Sequence, residues 1–335
     1  MDLKAKILDA AQPVIFYELI PPKVGAPAEL ETLLALVREL VGKVDAINIP
    51  EIHEESRQGT SRARLPERIE PRAFAQAIHA ATLRQAQGTP GQAGMATVVN
   101  RVTVHESPEA QRRWLQETYA EFGIRNLILV GGESHATQYP GPSVVDTAKM
   151  VEELGLDFLL GGITIPSRSR ETARIRRKYE RGLRFFTTQV LFDPNDTVDL
   201  IQGLNGLDVR IFLSFAPISN TRDVEFLQWL GADVPRNVAW AIEQAGEPAK
   251  AIEKTTALAS RILTDIFDNL PAHPPALGIN VEQITRRTYG SGKRMLAELG
   301  GLYPRHVQAH YAEHGRGEPA RPAAASGRPS SPRGR

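Results

Sequence analysis

The sequence predicts an α/β fold, a single closed (β/α)8 TIM barrel, on three observations. Eight short apolar runs recur between residues 12 and 280. Several are apolar almost throughout, as strands covered on both faces are. The segments between them repeat apolar residues at helical spacing. Strand–helix alternation over about 300 residues calls for parallel strands joined by right-handed crossovers, and a closed barrel is the economical arrangement. An open doubly wound sheet is the alternative, but no run is followed by Gly-x-Gly-x-x-Gly or a Walker loop.

The expected strands are Val14–Ile20, Val44–Ile49, Ala96–Asn100, Asn126–Val130, Phe158–Ile163, Phe185–Val190, Val209–Ser214 and Ala276–Asn280. Helices fill the gaps. In Ala28–Val41, Leu30, Leu33, Leu34, Val37, Leu40 and Val41 make one stripe, and Gly42 stands where a C-terminal cap belongs. Ser107 is an expected N-cap with Pro108 as the first helical residue. Leu115, Tyr119 and Phe122 line that helix, and Gly123 ends it. Arg170–Arg181, Val238–Ala245 and Pro248–Phe267 also read as helices, with Gly246 and Pro248 breaking the last two apart.

Residues 1–314 are expected to form the barrel. Residues 315–335 are Pro, Gly, Ser, Ala and Arg without hydrophobic period, a composition that predicts a disordered basic tail. That tail carries five arginines and one glutamate, so +4 of a net charge of +1, and the body stands near −3. A slightly acidic body without a basic aromatic stripe argues against nucleic acid. No run approaches the roughly 18–20 apolar residues of a membrane span. The N-terminus has no basic start or apolar core of a signal peptide, so cytoplasmic residence is the expectation. The chain has no cysteine, which excludes disulfides, thiolate nucleophiles and cysteine-ligated metals.

In a barrel the functional residues stand at the C-terminal ends of the strands. Glu18 lies there within Phe16-Tyr17-Glu18-Leu19-Ile20-Pro21-Pro22. A carboxylate in an apolar strand is either tied into an ion pair or raised in pKa, and then serves as a general acid near neutrality. Gly131-Gly132-Glu133 follows the fourth strand and allows close approach of a ligand to backbone, or simply a tight turn. Gln189 can donate to and accept from a heterocycle, or bind only backbone. Arg57, Arg62, Arg64, Arg68 and Arg72 suit either a polyanion or a solvated loop. His306, His310 and His314 share one helical face, but nothing nearby completes a metal set, and no metal is expected.

Taken together these segments resemble the methylenetetrahydrofolate reductase family, from about residue 12 to residue 290. Tyr17-Glu-Leu-Ile-Pro-Pro22 is similar to the family's Phe-Glu-Phe-Phe-Pro-Pro, and Val44-Asp-Ala-Ile-Asn-Ile resembles its second strand. Gly123-Ile-Arg-Asn-Leu-Ile-Leu-Val-Gly-Gly-Glu133 resembles the segment that normally ends Arg-Gly-Asp. Arg177-Lys178, Gly182, Thr188-Gln189 and Phe192-Asp193 follow in the family's order, then Ala216-Pro-Ile-Ser-Asn220. Gly278-Ile-Asn-Val-Glu-Gln-Ile-Thr-Arg286 resembles the last-strand Gly-x-His-Phe-Tyr-Thr-x-Asn-Arg.

The resemblance implies a barrel that reduces 5,10-methylenetetrahydrofolate to 5-methyltetrahydrofolate with NADH or NADPH through FAD. The catalytic acid would fall on Glu18, protonating the imidazolidine ring as it opens to an iminium. Glu133 would sit where the family places an Asp near the flavin. Gln189, Asp223 and Arg286 would contact the folate. Asn48, Asn100, Gly131, Gly132, Glu171, Arg174, Arg177 and Lys178 would line the flavin side. The expected partners are a reduced folate and a nicotinamide dinucleotide, and a homo-oligomer is compatible with both.

The departures from the family pattern gather on the flavin side. Asn100 replaces a His, Gly131 an Arg and Pro50 a Thr, while Glu171 and Arg174 stand for an Asp and an Asn. Two alternatives follow. One is a flavin-free variant passing hydride directly from nicotinamide to folate. The other is a pterin-binding methyltransferase barrel or a non-catalytic partner subunit.

Overall fold

The structure is a computed structural model and describes residues 2–52, 66–86, 94–132, 137–283 and 289–314. The expected tail therefore lies outside the described residues. Eight parallel strands close into one barrel in sequence order: β1 (Ile15–Leu19), β2 (Ala46–Ile49), β3 (Ala96–Val102), β4 (Asn126–Val130), β5 (Leu159–Thr164), β6 (Leu183–Val190), β7 (Arg210–Phe215) and β8 (Ala276–Gln283). All eight expected strands are present, within a few residues at each end. Ladders from β1–β2 to β7–β8 are parallel, and β8 returns to β1, pairing Glu18 with Glu282.

Helices α2 (Pro27–Leu40), α3 (Pro71–Ala86), α4 (Pro108–Ala120), α5 (Val144–Glu153), α6 (Glu171–Tyr179) and α7 (Asn195–Gly203) each follow one strand. Beyond β7 come α8 (Thr221–Trp229), α9 (Arg236–Glu243) and α10 (Pro248–Asp268), and α11 (Tyr289–His314) follows β8. The caps are local and chemical. Ser107 accepts from the backbone N–H of Ala110, and Ser143 from that of Asp146. Gly42 follows α2 with φ of 79°, a conformation that only glycine adopts freely.

Strand alternation sorts the side chains into two cores. Outward residues such as Tyr17, Ile47, Val99, Leu127, Phe186, Ile211 and Ile279 pack against the helices. Inward residues Phe16, Ala46, Val98, Ile128, Leu159, Phe185 and Phe212 fill the barrel. Phe16 stacks on Phe212 with ring centroids 3.9 Å apart, and Phe185 meets both rings edge-on. Glycine makes room for these rings. A Cβ on Gly161 would stand 2.4 Å from Phe185, and one on Gly278 would stand 2.5 Å from Phe212.

An N-terminal helix, α1 (Leu3–Leu8), closes the opposite end from the strand C-termini. Leu3 and Ile7 join the interior core. Buried Arg210, at the start of β7, donates to the carbonyls of Lys6 (3.1 Å), Ile7 (3.0 Å) and Asp9 (2.7 Å), and to that of Leu277. Those of Lys6 and Ile7 are carbonyls that a helix leaves unpaired at its C-terminus.

Candidate active site

The polar layer of the site stands directly above the aromatic floor. In β1 the residue two beyond Phe16 on the same face is Glu18, so its side chain points into the barrel at the C-terminal end. Asn48 follows Ala46 in the same way, Asn100 follows Val98, Ser214 follows Phe212, and Asn280 and Glu282 follow Gly278. The site is thus the polar ending of five strands whose earlier inward residues are apolar.

Glu18 accepts from Asn48 Nδ2 at 2.7 Å and from Asn280 Nδ2 at 3.4 Å. The Asn280 amide also reaches Ser214 Oγ at 3.1 Å and Glu282 Oε1 at 3.4 Å. Among the described residues neither carboxylate pairs with a lysine or arginine. The ion pair that the sequence left open for Glu18 is therefore not formed there. Burial pushes Glu18 up to about 7, against the two amide bonds that hold it down. Burial and the charge of Glu18 push Glu282 well above the ordinary carboxylate range, against bonds from Ser214 and Asn280. The side-chain oxygens of Asn48, Asn100 and Asn280 are buried without a hydrogen-bond partner. Three unmet acceptors in one barrel suit a ligand with several N–H donors.

Other expected site residues are engaged elsewhere. Gln189 Nε2 donates to the carbonyl of Leu230 at 2.9 Å, beyond the end of α8, which was the backbone-binding alternative. Asp223 is buried at the start of α8 and accepts from the Ser219 backbone N–H (2.8 Å) and hydroxyl, while Asn220 caps that helix. Thr164, at the end of β5, donates to Glu171. Glu133 and Arg286 lie outside the described residues, as do Arg57, Arg62 and Arg64.

On the side where the resemblance places FAD, Glu171 and Lys178 are satisfied within the protein, while Asn48 and Asn100 keep free oxygens. Glu171 is buried and accepts from Arg168 Nε (2.7 Å) and Nη2 (2.8 Å), from Thr164 and from the backbone N–H of Ile165. Burial pushes Glu171 up, but the bond and charge of Arg168, the bond from Thr164 and the charge of Lys178 together outweigh it and leave the pKa lowered. Arg174 lies 3.8 Å from the same carboxylate. Lys178 donates to the carbonyl of Ile163 at 2.9 Å, and burial lowers its pKa to about 8. Gly131 is exposed, and the free face of Gly132 is covered by Tyr139, whose ring a Cβ would meet at 2.2 Å. Arg177 is exposed.

The remaining candidates are structural. Arg68 donates to the carbonyl of Pro21, and Arg72 lies over Trp114 and Phe122. His306 stacks on Phe267 and bonds Thr264. No cluster of metal-ligating side chains occurs among the described residues, and no helix among them is long and apolar enough to cross a membrane.

Sequence reasoning missed Glu282. The eighth run reads as ending at Asn280, because polar residues at inward positions interrupt its apolar character. The period of two through Gly278, Asn280 and Glu282 is the signal that locates it.

No protein-family model matches the chain. No curated protein matches it either. Among solved structures, one from Clostridium thermocellum, described as binding two copies of 5-methyl-5,6,7,8-tetrahydrofolic acid, matches with a TM-score of 0.64 at 18% identity. The match covers 90% of this chain and 99% of that one. A Plasmodium falciparum HPPK-DHPS with pterin and p-hydroxybenzoate matches with a TM-score of 0.48 at 10% identity, over 88% of this chain and 49% of that one. A 2,3-dimethylmalate lyase matches at 0.45 and 11%, over 97% and 90%. The first of these likenesses agrees with the fold: this chain is a (β/α)8 barrel.

Proposed function

We propose that the chain binds a reduced folate in the barrel mouth and reduces 5,10-methylenetetrahydrofolate to 5-methyltetrahydrofolate, with Glu18 as the acid. The observation that carries this reading is Glu18 itself. It is an inward carboxyl without a cation partner among the described residues, held by two amides and protonated to near neutrality. The family resemblance and the folate bound by the Clostridium thermocellum barrel support it. A pteridine ring with a 2-amino group and ring N–H groups would also meet the free oxygens of Asn48, Asn100 and Asn280.

The chemistry asks one proton of the protein. Glu18 gives its proton to N10 of the substrate as the bond from N10 to the bridging carbon breaks. The electron pair of that bond stays on N10, and N5 carries the resulting iminium. Hydride from NADH or NADPH then adds to the iminium carbon, which becomes the methyl group. The Glu18 carboxylate left behind is stabilised by the Asn48 and Asn280 amides.

On the side expected for FAD, the carrier in the family, Glu171 and Lys178 are satisfied by protein partners, while Asn48 and Asn100 keep free oxygens and Gly132 and Arg177 are exposed. No step is routed through a flavin. Direct transfer from nicotinamide to the folate iminium, itself a competent hydride acceptor, is the form we propose.

The test is NAD(P)H oxidation dependent on methylenetetrahydrofolate, with reduced-folate binding measured by calorimetry. Glu18→Gln is expected to lower kcat by about 10²–10⁴-fold while folate still binds. A wild-type protein that binds no reduced folate, or an E18Q variant with unchanged turnover, overturns the reading.

A further inference from the structure

We infer that Glu282 is a second proton-holding residue of this site: the Glu18 and Glu282 carboxyls share one proton, and the charge of Glu282 keeps it on Glu18 until it is delivered. The inference rests on the proposed function for its chemistry, but its structural part stands alone.

The geometry is that of a facing pair. Glu18 and Glu282 are register partners on adjacent parallel strands, and both side chains point inward. A single amide nitrogen, Asn280 Nδ2, lies 3.4 Å from an oxygen of each. The groups facing them are Asn48 from β2, Ser214 from β7 and Asn280 from β8, with Asn100 on β3 beyond. All are neutral. Two carboxylates without a cation among the described residues, over a floor of three phenylalanines, cannot both carry charge cheaply. A proton held between them removes that repulsion, and both residues are partly accessible, so solvent can replenish it.

The step balances simply. Glu18 delivers the shared proton to the folate N10, and water then returns one proton to the carboxyl pair. One proton is consumed per hydride added, and no further oxidant or reductant enters. Glu282 touches no reacting atom in this scheme, so it is a positioning residue acting through Glu18.

The experiment compares wild type, Glu282→Gln and Glu282→Asp by carboxyl ¹³C NMR titration of the ligand-free protein and by kcat and KM against pH. In E282Q the Glu18 carboxyl loses its charged neighbour. Its titration midpoint should fall by a unit or more, so kcat near pH 7.5 should drop about tenfold, while KM and the activity at low pH stay put. E282D, which keeps a carboxyl, should recover most of the wild-type profile. An unmoved Glu18 midpoint in folded E282Q overturns the pairing. A shifted midpoint with no folate turnover in wild type sinks the proposed function and leaves the pairing standing. Equal kcat loss at all pH values in E282Q assigns Glu282 a merely structural part and also overturns the inference.

Discussion

The side chain of Glu18 has a neutral form that the fold prefers and a charged form that it tolerates. Its pKa is raised to about 7 from an ordinary 4.5 by burial. The unfolded chain ionises it first, so its favourable contribution is complete below about pH 4.5 and is lost as pH rises to 7. Above that, folding carries the charge at a cost on the order of 3 kcal/mol. Glu18→Gln removes that cost. The variant should therefore melt higher than wild type at pH 8, with the gap closing below pH 4.5, as thermal denaturation at the two pH values will show. Equal melting points at pH 8 would mean that the carboxyl is not buried as described. Under the proposed function the same sign predicts a wild-type kcat that is flat below pH 7 and falls above it, as Glu18 loses its proton.

At the scale of the element, the strands were legible because parallel barrel strands are apolar on both faces, and that signal survives in a single sequence. Helix α4 was legible from Ser107, Pro108 and Gly123. What the sequence hid lies where polarity interrupts the pattern. Strand β8 continues through Glu282, yet Asn280 reads as its end. Helix α1 is only six residues long, too short to show a period. Its importance comes from Arg210, more than two hundred positions away in sequence. Gln189 illustrates the limit for side chains: nothing local announces that its amide will reach Leu230. Arg210→Met should cost about 3 kcal/mol, because it removes the donor to the carbonyls of Lys6 and Ile7 and one of the two donors to those of Asp9 and Leu277. Chemical denaturation will measure that loss. The kcat of the folded fraction should be unchanged, since Glu18 stands at the other end of the barrel.

For the whole molecule, the cofactor question has a direct readout. With Glu171 and Lys178 satisfied by protein partners and the proposed hydride transfer direct, the purified protein should be colourless. It should not oxidise NAD(P)H with menadione, yet should do so with methylenetetrahydrofolate. A yellow protein with flavin bands and menadione activity would return FAD to the scheme and move the self-satisfied contacts around Glu171 to a conformation that opens on binding.

The stacked phenylalanines with α1 beneath them make the cavity a blind alley. Whatever enters by the rim must back out the same way, so a spent product and a fresh substrate compete for one doorway. Inhibition by 5-methyltetrahydrofolate should accordingly be competitive with its precursor.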